Sequence, residues 1–389
     1  MDEQRKAGYD AIAIPHNSNV SNGEMFQLVQ YDGSPMDRAY VQRRSRNEPL
    51  VENTQIKGTS DTHPFLSPKD EWADFEIFPY RIASRLRSQP QGSYVREAYR
   101  NGLQLGDSGA GNPYRFGVIG ASDTHNAGES FQENRFVGAS GLLSHTPEQL
   151  GSVPVASDDG GQRAYTLPTS RLNSASGLAG VWADRNPRED VFAAFRRKET
   201  FSTTGTRIRV RFFAGYGLDT SMLVDNDSLE LAYNTGQPMG GALRAERRGE
   251  PEFLFWAARD PYGAPLERVQ IIKGWLDESG TREAVFDVAY SGGEDPDPAT
   301  GRCPENGATV DARTCKTTPG TGAAQIKGIW RDPAFDRKQR AFYYVRVLEN
   351  PTCRWSTWDA VRAGATPHPD LPRFIQERAW TSPIWFTPR

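Results

Sequence analysis

The sequence predicts an α/β domain over residues 1–207, followed by a β-rich, sandwich-like domain over residues 208–389. Two observations carry this prediction. In the first region, short apolar runs end in glycine and small polar residues and alternate with helical segments, which is typical of an α/β sheet. In the second region helical patterns become scarce, and turns rich in glycine, proline and aspartate separate strand-like runs.

The composition indicates a globular protein and excludes some classes of function. The chain has 389 residues, of which 24% are charged and 37% hydrophobic, and its formal net charge is −3. It has no long basic patch, which argues against nucleic acid as the main partner. No run approaches the roughly 18 apolar residues of a membrane span, so we expect no such span. The sequence leaves the oligomeric state open.

The first residues read as the end of a structural unit. Residues 1–8 look like the last turns of a helix with Gly8 as its cap, and they lead directly into an apolar, strand-like run at residues 11–14. Because a complete domain rarely begins in the middle of an α/β unit, we expect further sequence before Met1, where a signal peptide would also lie.

Helices are predicted at three places in the rest of the first region. Helical spacing and end signals fall at residues 36–46, 94–106 and 186–198. The last helix is the clearest, because Pro187 suits the first helical position and acidic residues follow in the first turn. Residues 58–80 form a long loop, and long loops in compact domains are usually functional.

The second region combines strand-like runs with an insertion that carries cysteines. Examples of the runs are EFLFWAARD, RVQIIKGWL, AVFDVAY, AFYYVRVLE and SPIWF. Within an insertion near residues 291–325, Cys303 and Cys315 flank a polar loop and are too far apart for a C-x-x-C zinc knuckle. We predict a disulfide between them, the alternative being two free thiols, and we expect Cys353 to be a buried thiol. A disulfide implies an oxidising compartment, so we expect a periplasmic or secreted protein.

The first region is organised around residues 116–125, which read FGVIGASDTH. An apolar run typical of a buried strand passes through small residues into Asp123 and His125. In α/β sheets the carboxyl ends of strands carry the chemistry. Side chains two positions apart in extended chain point the same way, so this carboxylate and this imidazole share one side. Such ligands suit zinc, manganese or iron.

Two earlier segments repeat this pattern. The run at residues 11–14 is followed by His16, and the strand-like run at residues 50–57 is followed by a polar turn that carries His63. Three of the five histidines therefore follow strand-like runs in the first third of the chain. We predict that His16, His63 and His125 share a metal site, the alternative being three separate surface histidines.

Several motifs together resemble one known family. They are IPHNSN, QIKGTSDTHP, GASDTH, RRKETFSTTGTRIRVRFF, VLENPTCRWSTWDA and TSPIW. Over almost the whole chain they look like the domain-of-unknown-function family numbered 3604, which is similar to the polymerase-and-histidinol-phosphatase (PHP) metal-dependent phosphoesterases. The resemblance implies a PHP-like distorted (β/α)7 barrel, incomplete at its N-terminus, that holds two or three divalent metals and hydrolyses a phosphate ester or a related bond.

The resemblance also implies roles for individual residues. His16 matches a histidine on an early strand, Asp123 and His125 match a late Asp-x-His, and His63 takes the place of the histidine after the metal-bridging acid. The superfamily's His-x-His motif has no counterpart before Tyr9. The metal site of the chain as given would then be incomplete.

The match departs from the superfamily pattern at the strand over residues 50–57. The superfamily usually places a glutamate at the end of this strand, where this chain has Glu52, Gln55 and Lys57. Alternation puts Gln55 and Lys57 on one face and Glu52 on the other. We therefore expect Gln55 or Lys57 to face the site, with Gln55 as a metal ligand. A metal count below three is compatible with this expectation.

These observations lead to the hypothesis of a metal-dependent hydrolase that acts on a small-molecule ester. Water activated by manganese, zinc or iron would attack the ester. Lys57 and Arg207 would stabilise the charge on the ester oxygens, unless both are simply solvated, and Asn17 would support His16. A sulfate ester, a lactone or an amide is an equally suitable substrate.

The alternative is a non-catalytic binding module or a truncated, inactive member of the family. Four tryptophans of the second region would then contact a carbohydrate or a protein partner, whereas in the simpler interpretation they belong to the core. These residues are Trp256, Trp275, Trp355 and Trp358.

Overall fold

The computed structural model describes the chain except for residues 126–130, 140–145, 156–163, 175, 225–227, 247–248 and 294–295. The helices are α1 (Asp2–Lys6), α2 (Arg38–Asn47), α3 (Val95–Asp107), α4 (Pro147–Leu150), α5 (Arg188–Arg197), α6 (Ser228–Thr235) and α7 (Trp355–Arg362). Short 3-10 turns lie at Ser18–Val20, Glu133–Arg135, Thr169–Leu172 and Thr220–Leu223.

Strands dominate the second half of the chain. Those before residue 240 are β1 (Leu50–Gln55), β2 (Gly58–Thr59), β3 (Gly117–Gly120), β4 (Leu178–Val181), β5 (Thr200–Thr203), β6 (Arg209–Gly215) and β7 (Gly236–Pro238). The others are β8 (Ala242–Arg244), β9 (Glu252–Ala258), β10 (Leu266–Asp277), β11 (Gly280–Tyr290), β12 (Val310–Asp311), β13 (Lys316–Thr317), β14 (Gln325–Arg331), β15 (Ala341–Glu349), β16 (Thr352–Cys353), β17 (Phe374–Ile375), β18 (Arg378–Thr381) and β19 (Ile384–Thr387).

Most local predictions are confirmed. The helices α2, α3 and α5 lie where the helical spacing predicted them, although Pro187 is the N-cap of α5 and not its first helical residue. The strand predicted at residues 11–14 does not form. That segment runs beside β1 and makes isolated backbone hydrogen bonds, such as Glu52 N to Pro15 O, because Pro15 has no N–H to continue a ladder.

A small sheet carries the segments of the predicted site. Its strand order is β2-β1-β3, with β1 parallel to β3 and antiparallel to β2. The register between β1 and β3 shifts between Glu52 and Thr54, so that Asn53 forms a bulge. A bulge reverses the alternation of side chains along a strand.

The strand β3 packs very closely against β4 and against Ser382, which lies between β18 and β19. A Cβ atom at Gly117 would lie 2.6 Å from Ser382 Oγ, and one at Gly120 would lie 2.6 Å from Leu178 O. Ser382 Oγ also accepts a hydrogen bond of 3.0 Å from Val118 N. Glycine is required at both positions because no side chain fits between these neighbours.

Two larger sheets form the rest of the fold. An eight-stranded sheet has the order β11-β10-β15-β18-β5-β4, and β19 pairs with both β15 and β8. A four-stranded sheet has the order β14-β9-β6-β7. Apolar side chains from both sheets fill one core, in which Phe253 of β9 packs on Tyr343 of β15 with a ring distance of 4.4 Å.

The other face of the eight-stranded sheet is covered by the first third of the chain. Tyr99 of α3 packs on Phe342 of β15 with ring centroids 5.3 Å apart, in a second core that also contains Val51 and Ile272. Because side chains alternate along β15, Phe342 lies in this core and Tyr343 in the other. Residues from both predicted domains therefore share one core.

The described sheets are open, and none of them closes into a barrel. The PHP-like barrel and the division of the chain at residue 207 remain predictions. No helix in the described part of the chain is long and apolar enough to cross a membrane.

The predicted disulfide pairing is wrong. The bridge joins Cys315 to Cys353, whose Cα atoms are 5.5 Å apart. Cys303 is buried elsewhere, where its backbone N–H donates to Asp287 and its carbonyl accepts from Arg268. The spacing of the cysteines in sequence could not show that the insertion brings Cys315 to β16 and not to Cys303.

Candidate functional site

The centre of the candidate site is His16, which lies beside the carboxylate of Glu52. Its Nδ1 atom is 3.0 and 2.9 Å from the two carboxylate oxygens of Glu52. The backbone N–H of Asn17 donates to the same carboxylate at 3.3 Å. The Glu52 side chain is buried, so these contacts fix the orientation of the imidazole.

Asp123 connects the two halves of the site. Its Oδ1 atom lies 3.4 Å from His16 Nε2 and 3.7 Å from His125 Nε2, and its Oδ2 atom contacts the ammonium of Lys57. The backbone angle φ is +48° at Asp123 and +61° at Asn17. Both values lie in the left-handed region, which residues other than glycine adopt infrequently. The backbone is therefore strained on both sides of the site, as is common where side chains must be aimed at a ligand.

Lys57 lies in the two-residue turn between β1 and β2 and is partly buried. Burial lowers the pKa of its ammonium, and the negative charge of Glu52 opposes this effect. The contact with Asp123 places a positive charge next to the site even without a metal ion.

Gln55 and Asn17 support the turn that carries Lys57. Gln55 is fully buried, its amide Nε2 donates to Asn17 Oδ1, and its Oε1 accepts from Lys57 N at 2.7 Å. Both the amide nitrogen and the amide oxygen of Gln55 are thus hydrogen-bonded within the protein. The geometry gives Gln55 a positioning role, although the sequence analysis proposed it as a ligand.

The structure does not bring His63 and Arg207 into contact with these residues. His63 packs on Tyr94 at 5.4 Å, and its Nδ1 accepts from Phe65 N at 3.1 Å. Burial lowers the pKa of His63. Arg207 donates its backbone N–H to Asp260 at 2.8 Å and lines a different cleft. His145 lies outside the described residues.

Glu52 is the site residue that the sequence analysis assigned to the wrong face. Strict alternation along β1 put Glu52 opposite Gln55 and Lys57. The bulge at Asn53 reverses the alternation, so that Glu52 reaches His16 while Gln55 reaches Asn17. The available signal for this residue was the glutamate that the resemblance to PHP phosphoesterases predicts near the end of this strand.

The part of the chain that the structure describes contains no complete group of three or more His, Cys, Asp or Glu ligands. A partial set is present, because His16 Nε2 and His125 Nε2 both approach Asp123 Oδ1. Two ligand atoms on one tetrahedral zinc ion are ordinarily about 3.3 Å apart, slightly less than these distances of 3.4 and 3.7 Å. The two distances are compatible with imidazole and carboxylate ligands of a single cation, although the three residues do not form a complete ligand group among the described residues.

A cleft of about 630 Å³ opens beside Lys57 and His125. Its wall includes the side chains of Arg81 and Arg85, which the sequence analysis did not single out. Hydroxyl and amide groups complete the polar lining, from Ser84, Thr169, Ser170 and Asn173. The segment RIASRLR, with three arginines directly after the long loop, was the signal that could have identified it.

The protein is therefore of mixed α/β type, and a cluster of His16, Asp123 and Lys57 lies at the end of its small sheet. The chain belongs to the family described as protein of unknown function (DUF3604), whose model matches residues 1–388. No curated protein matches the chain. No solved structure matches it either.

Proposed function

We propose that this protein is a metal-dependent hydrolase, similar to the PHP phosphoesterases, that cleaves a phosphate ester or a related ester. The observation that carries the proposal is the convergence of two imidazole nitrogens on one oxygen of Asp123. Two imidazoles and one carboxylate are a common ligand set of catalytic metal sites that keep an open position.

The proposed ligands are His16, Asp123 and His125, with manganese, zinc or iron as the ion. A bound divalent ion would supply a water molecule of lowered pKa as the nucleophile. Glu52 accepts the Nδ1 proton of His16, which leaves the Nε2 lone pair free for the ion. The two or three ions of the family's intact site would need further ligands.

The neighbouring cleft suits the negatively charged part of an ester. Lys57, Arg81 and Arg85 contribute positive charge at its wall. The planar guanidinium group of arginine binds two oxygens of a phosphate or sulfate group at once. In this proposal Lys57 stabilises the charge that develops on the ester oxygens, whereas Arg207 belongs to another cleft.

The experiment that tests the proposal compares metal content and ester hydrolysis among variants with similar folds. Asp123→Asn and His125→Ala are expected to lose most of the bound metal and at least 100-fold of the activity, in the usual range for removal of a key catalytic group (~10²–10⁴-fold). The control is His63→Ala, which removes a histidine that lies outside the cluster. Equal metal content and activity in all three variants would disprove the assignment of the site.

A non-catalytic role in binding is the second candidate. Trp256 and Trp182 line a separate cleft of about 300 Å³, as aromatic side chains do in carbohydrate sites, and Trp256 was among the tryptophans considered for this role. Trp355 is unsuitable, because it is buried and stacks on Phe136 with ring centroids 4.6 Å apart. Saturable carbohydrate binding by a protein that neither holds metal nor hydrolyses esters would favour this candidate.

We also propose a periplasmic or secreted location. The Cys315–Cys353 bridge supports it, because structural disulfides persist in oxidising compartments.

A further inference from the structure

A second cleft, of about 320 Å³, lies apart from the cluster around His16. Four carboxylates from different parts of the chain line it, and we call it the acidic cleft. They are Glu133 of a 3-10 turn, Asp260 after β9, Glu349 at the end of β15 and Glu377 just before β18. The acidic cleft and the cleft beside Lys57 share no described lining residue.

Two of these carboxylates have an oxygen without a hydrogen-bond partner among the described residues. Glu349 is only 1% exposed and Glu133 only 8%, yet Oε1 of each has no partner. Their other oxygens accept from backbone N–H groups of Ala264 and Trp355. A buried polar atom without a partner is costly, so these two oxygens are acceptors available to a ligand.

Acidic side chains outnumber cationic ones in the described lining of the acidic cleft. Arg207 is the single cationic side chain among the described residues that line it. Arg354, which does not line the cleft, forms a bidentate ion pair with Glu76, with both nitrogen–oxygen distances at 2.8 Å. Glu377 accepts a hydrogen bond from the Thr204 hydroxyl, which carries no charge. The described lining of the cleft therefore holds four carboxyl groups and one cationic side chain.

We propose that the acidic cleft binds a small guanidinium compound, an activity separate from the proposed hydrolase site. A guanidinium ion presents five N–H donors in one plane and can reach carboxylates on different walls. A single metal ion fits less well, because no three acidic side chains among the described residues gather into a ligand set. The volume of about 320 Å³ corresponds to a small organic molecule.

Further features of the cleft agree with an organic cation. Tyr262 and Trp358 contribute aromatic rings to its lining, and such rings attract guanidinium groups. Burial raises the pKa of Glu349 and of Glu377 to about 8. A bound cation would favour the ionised carboxylates and so relieve the cost of burying them.

The test compares two probes of the same shape by titration calorimetry with the full chain. Propylguanidine is the cation and N-propylurea is its neutral counterpart. Propylguanidine is expected to bind at least tenfold more tightly than N-propylurea. Glu349→Gln and Glu133→Gln should each weaken propylguanidine binding about tenfold, whereas Glu189→Gln, in an exposed part of α5, should leave it unchanged.

Three outcomes would overturn the proposal. The first is equal binding of the two probes. The second is unchanged binding of propylguanidine by both cleft variants when circular dichroism shows that at least one is folded. The third is displacement of propylguanidine by calcium chloride at lower concentration, which would identify a metal site instead. Ester hydrolysis is measured in parallel, and the cleft variants should retain it because neither residue contacts the His16 cluster.

Discussion

Two of the buried groups of ionisable side chains in the described part of the chain have opposite properties. One, which we call the arginine network, joins Arg96 and Arg346 to Asp70. Asp70 Oδ2 is 2.8 Å from Arg96 and 2.9 Å from Arg346, and its Oδ1 is 2.8 Å from Arg346. Arg96 also pairs with Asp61 at 2.8 Å. The other group is the acidic cleft, where carboxylates outnumber cations.

The two groups differ in the partners of their carboxylates, although both are deeply buried. At Asp70, burial acts to raise the pKa, but the charges of Arg346 and Arg96 outweigh burial and hold the pKa well below its usual range. At Glu349, burial dominates and the pKa rises to about 8. Burial alone therefore does not decide whether a carboxyl group is charged. The arginine network pairs its carboxylates with arginines, whereas the described lining of the acidic cleft sets four carboxyl groups against one cationic side chain, Arg207.

The largest expected change in stability follows from removing the charge of Asp70, at the centre of the arginine network. Asp70→Asn leaves Arg96 and Arg346 buried without their shared partner. We expect the free energy of unfolding to fall by about 3–5 kcal/mol, as when one partner of a buried ion pair is removed. Urea unfolding followed by circular dichroism measures this change. The control is Glu189→Gln in the exposed Arg188–Glu189 pair, with an expected change under about 0.5 kcal/mol. A loss below about 1 kcal/mol in Asp70→Asn would contradict the comparison.

The next effect concerns the disulfide at the wall of the acidic cleft, where Cys315 is a lining residue. The bridge spans 38 residues of sequence. Its removal in Cys315→Ser is expected to lower the free energy of unfolding by about 3–4 kcal/mol, because the unfolded chain gains freedom. Non-reducing urea unfolding measures this, with Cys303→Ala as a control that keeps the bridge. Loss of the same size in the control would show that packing, and not the bridge, is responsible.

The smallest effect is a change in the pH dependence of stability. The ordinary pKa of a glutamate in an unfolded chain is about 4.3. Burial raises the pKa of Glu349 to about 8, although the hydrogen bond from Ala264 N acts to lower it. The folded protein then holds a proton that the unfolded chain releases, so stability falls as the pH rises from about 5 to 8. Glu349→Gln should remove part of this decline, on the order of 2 kcal/mol at pH 9.

Thermal unfolding of wild type and Glu349→Gln at several pH values checks this prediction. The neighbouring carboxyl of Glu377 still titrates in the variant, so the decline becomes shallower and does not vanish. The sign is opposite at Asp70, whose lowered pKa gives stability that is lost only in acid. Identical pH profiles for the wild type and Glu349→Gln would contradict the raised pKa.

The sequence predicted the features that depend on local spacing. The helices α3 and α5 and the strands β9, β10 and β15 follow from periodicities and end signals that lie within each segment. For the same reason His16, Asp123 and His125, which follow apolar runs, were found as candidates. The contact between Asp123 and His16 was predictable because neighbouring segments that end on the same side of a sheet bring their last side chains together.

The features that the sequence could not predict depend on tertiary contacts. The bulge at Asn53 reversed the orientation of Glu52, and no local pattern in β1 reveals such a bulge. The partner of Cys315 depends on where a long insertion folds back, which spacing does not encode. The carboxylates of the acidic cleft come from four distant segments, so only the folded chain shows them together.

The close packing of β3 on the C-terminal strands also affects how the protein is made. The strand leads to Asp123, but its neighbour Ser382 is 264 residues further along the chain than Val118. During synthesis the first third of the chain emerges from the ribosome long before Ser382 does. The His16–Asp123 contact would therefore reach its final geometry only after Ser382 and the segment around it have been added and have folded.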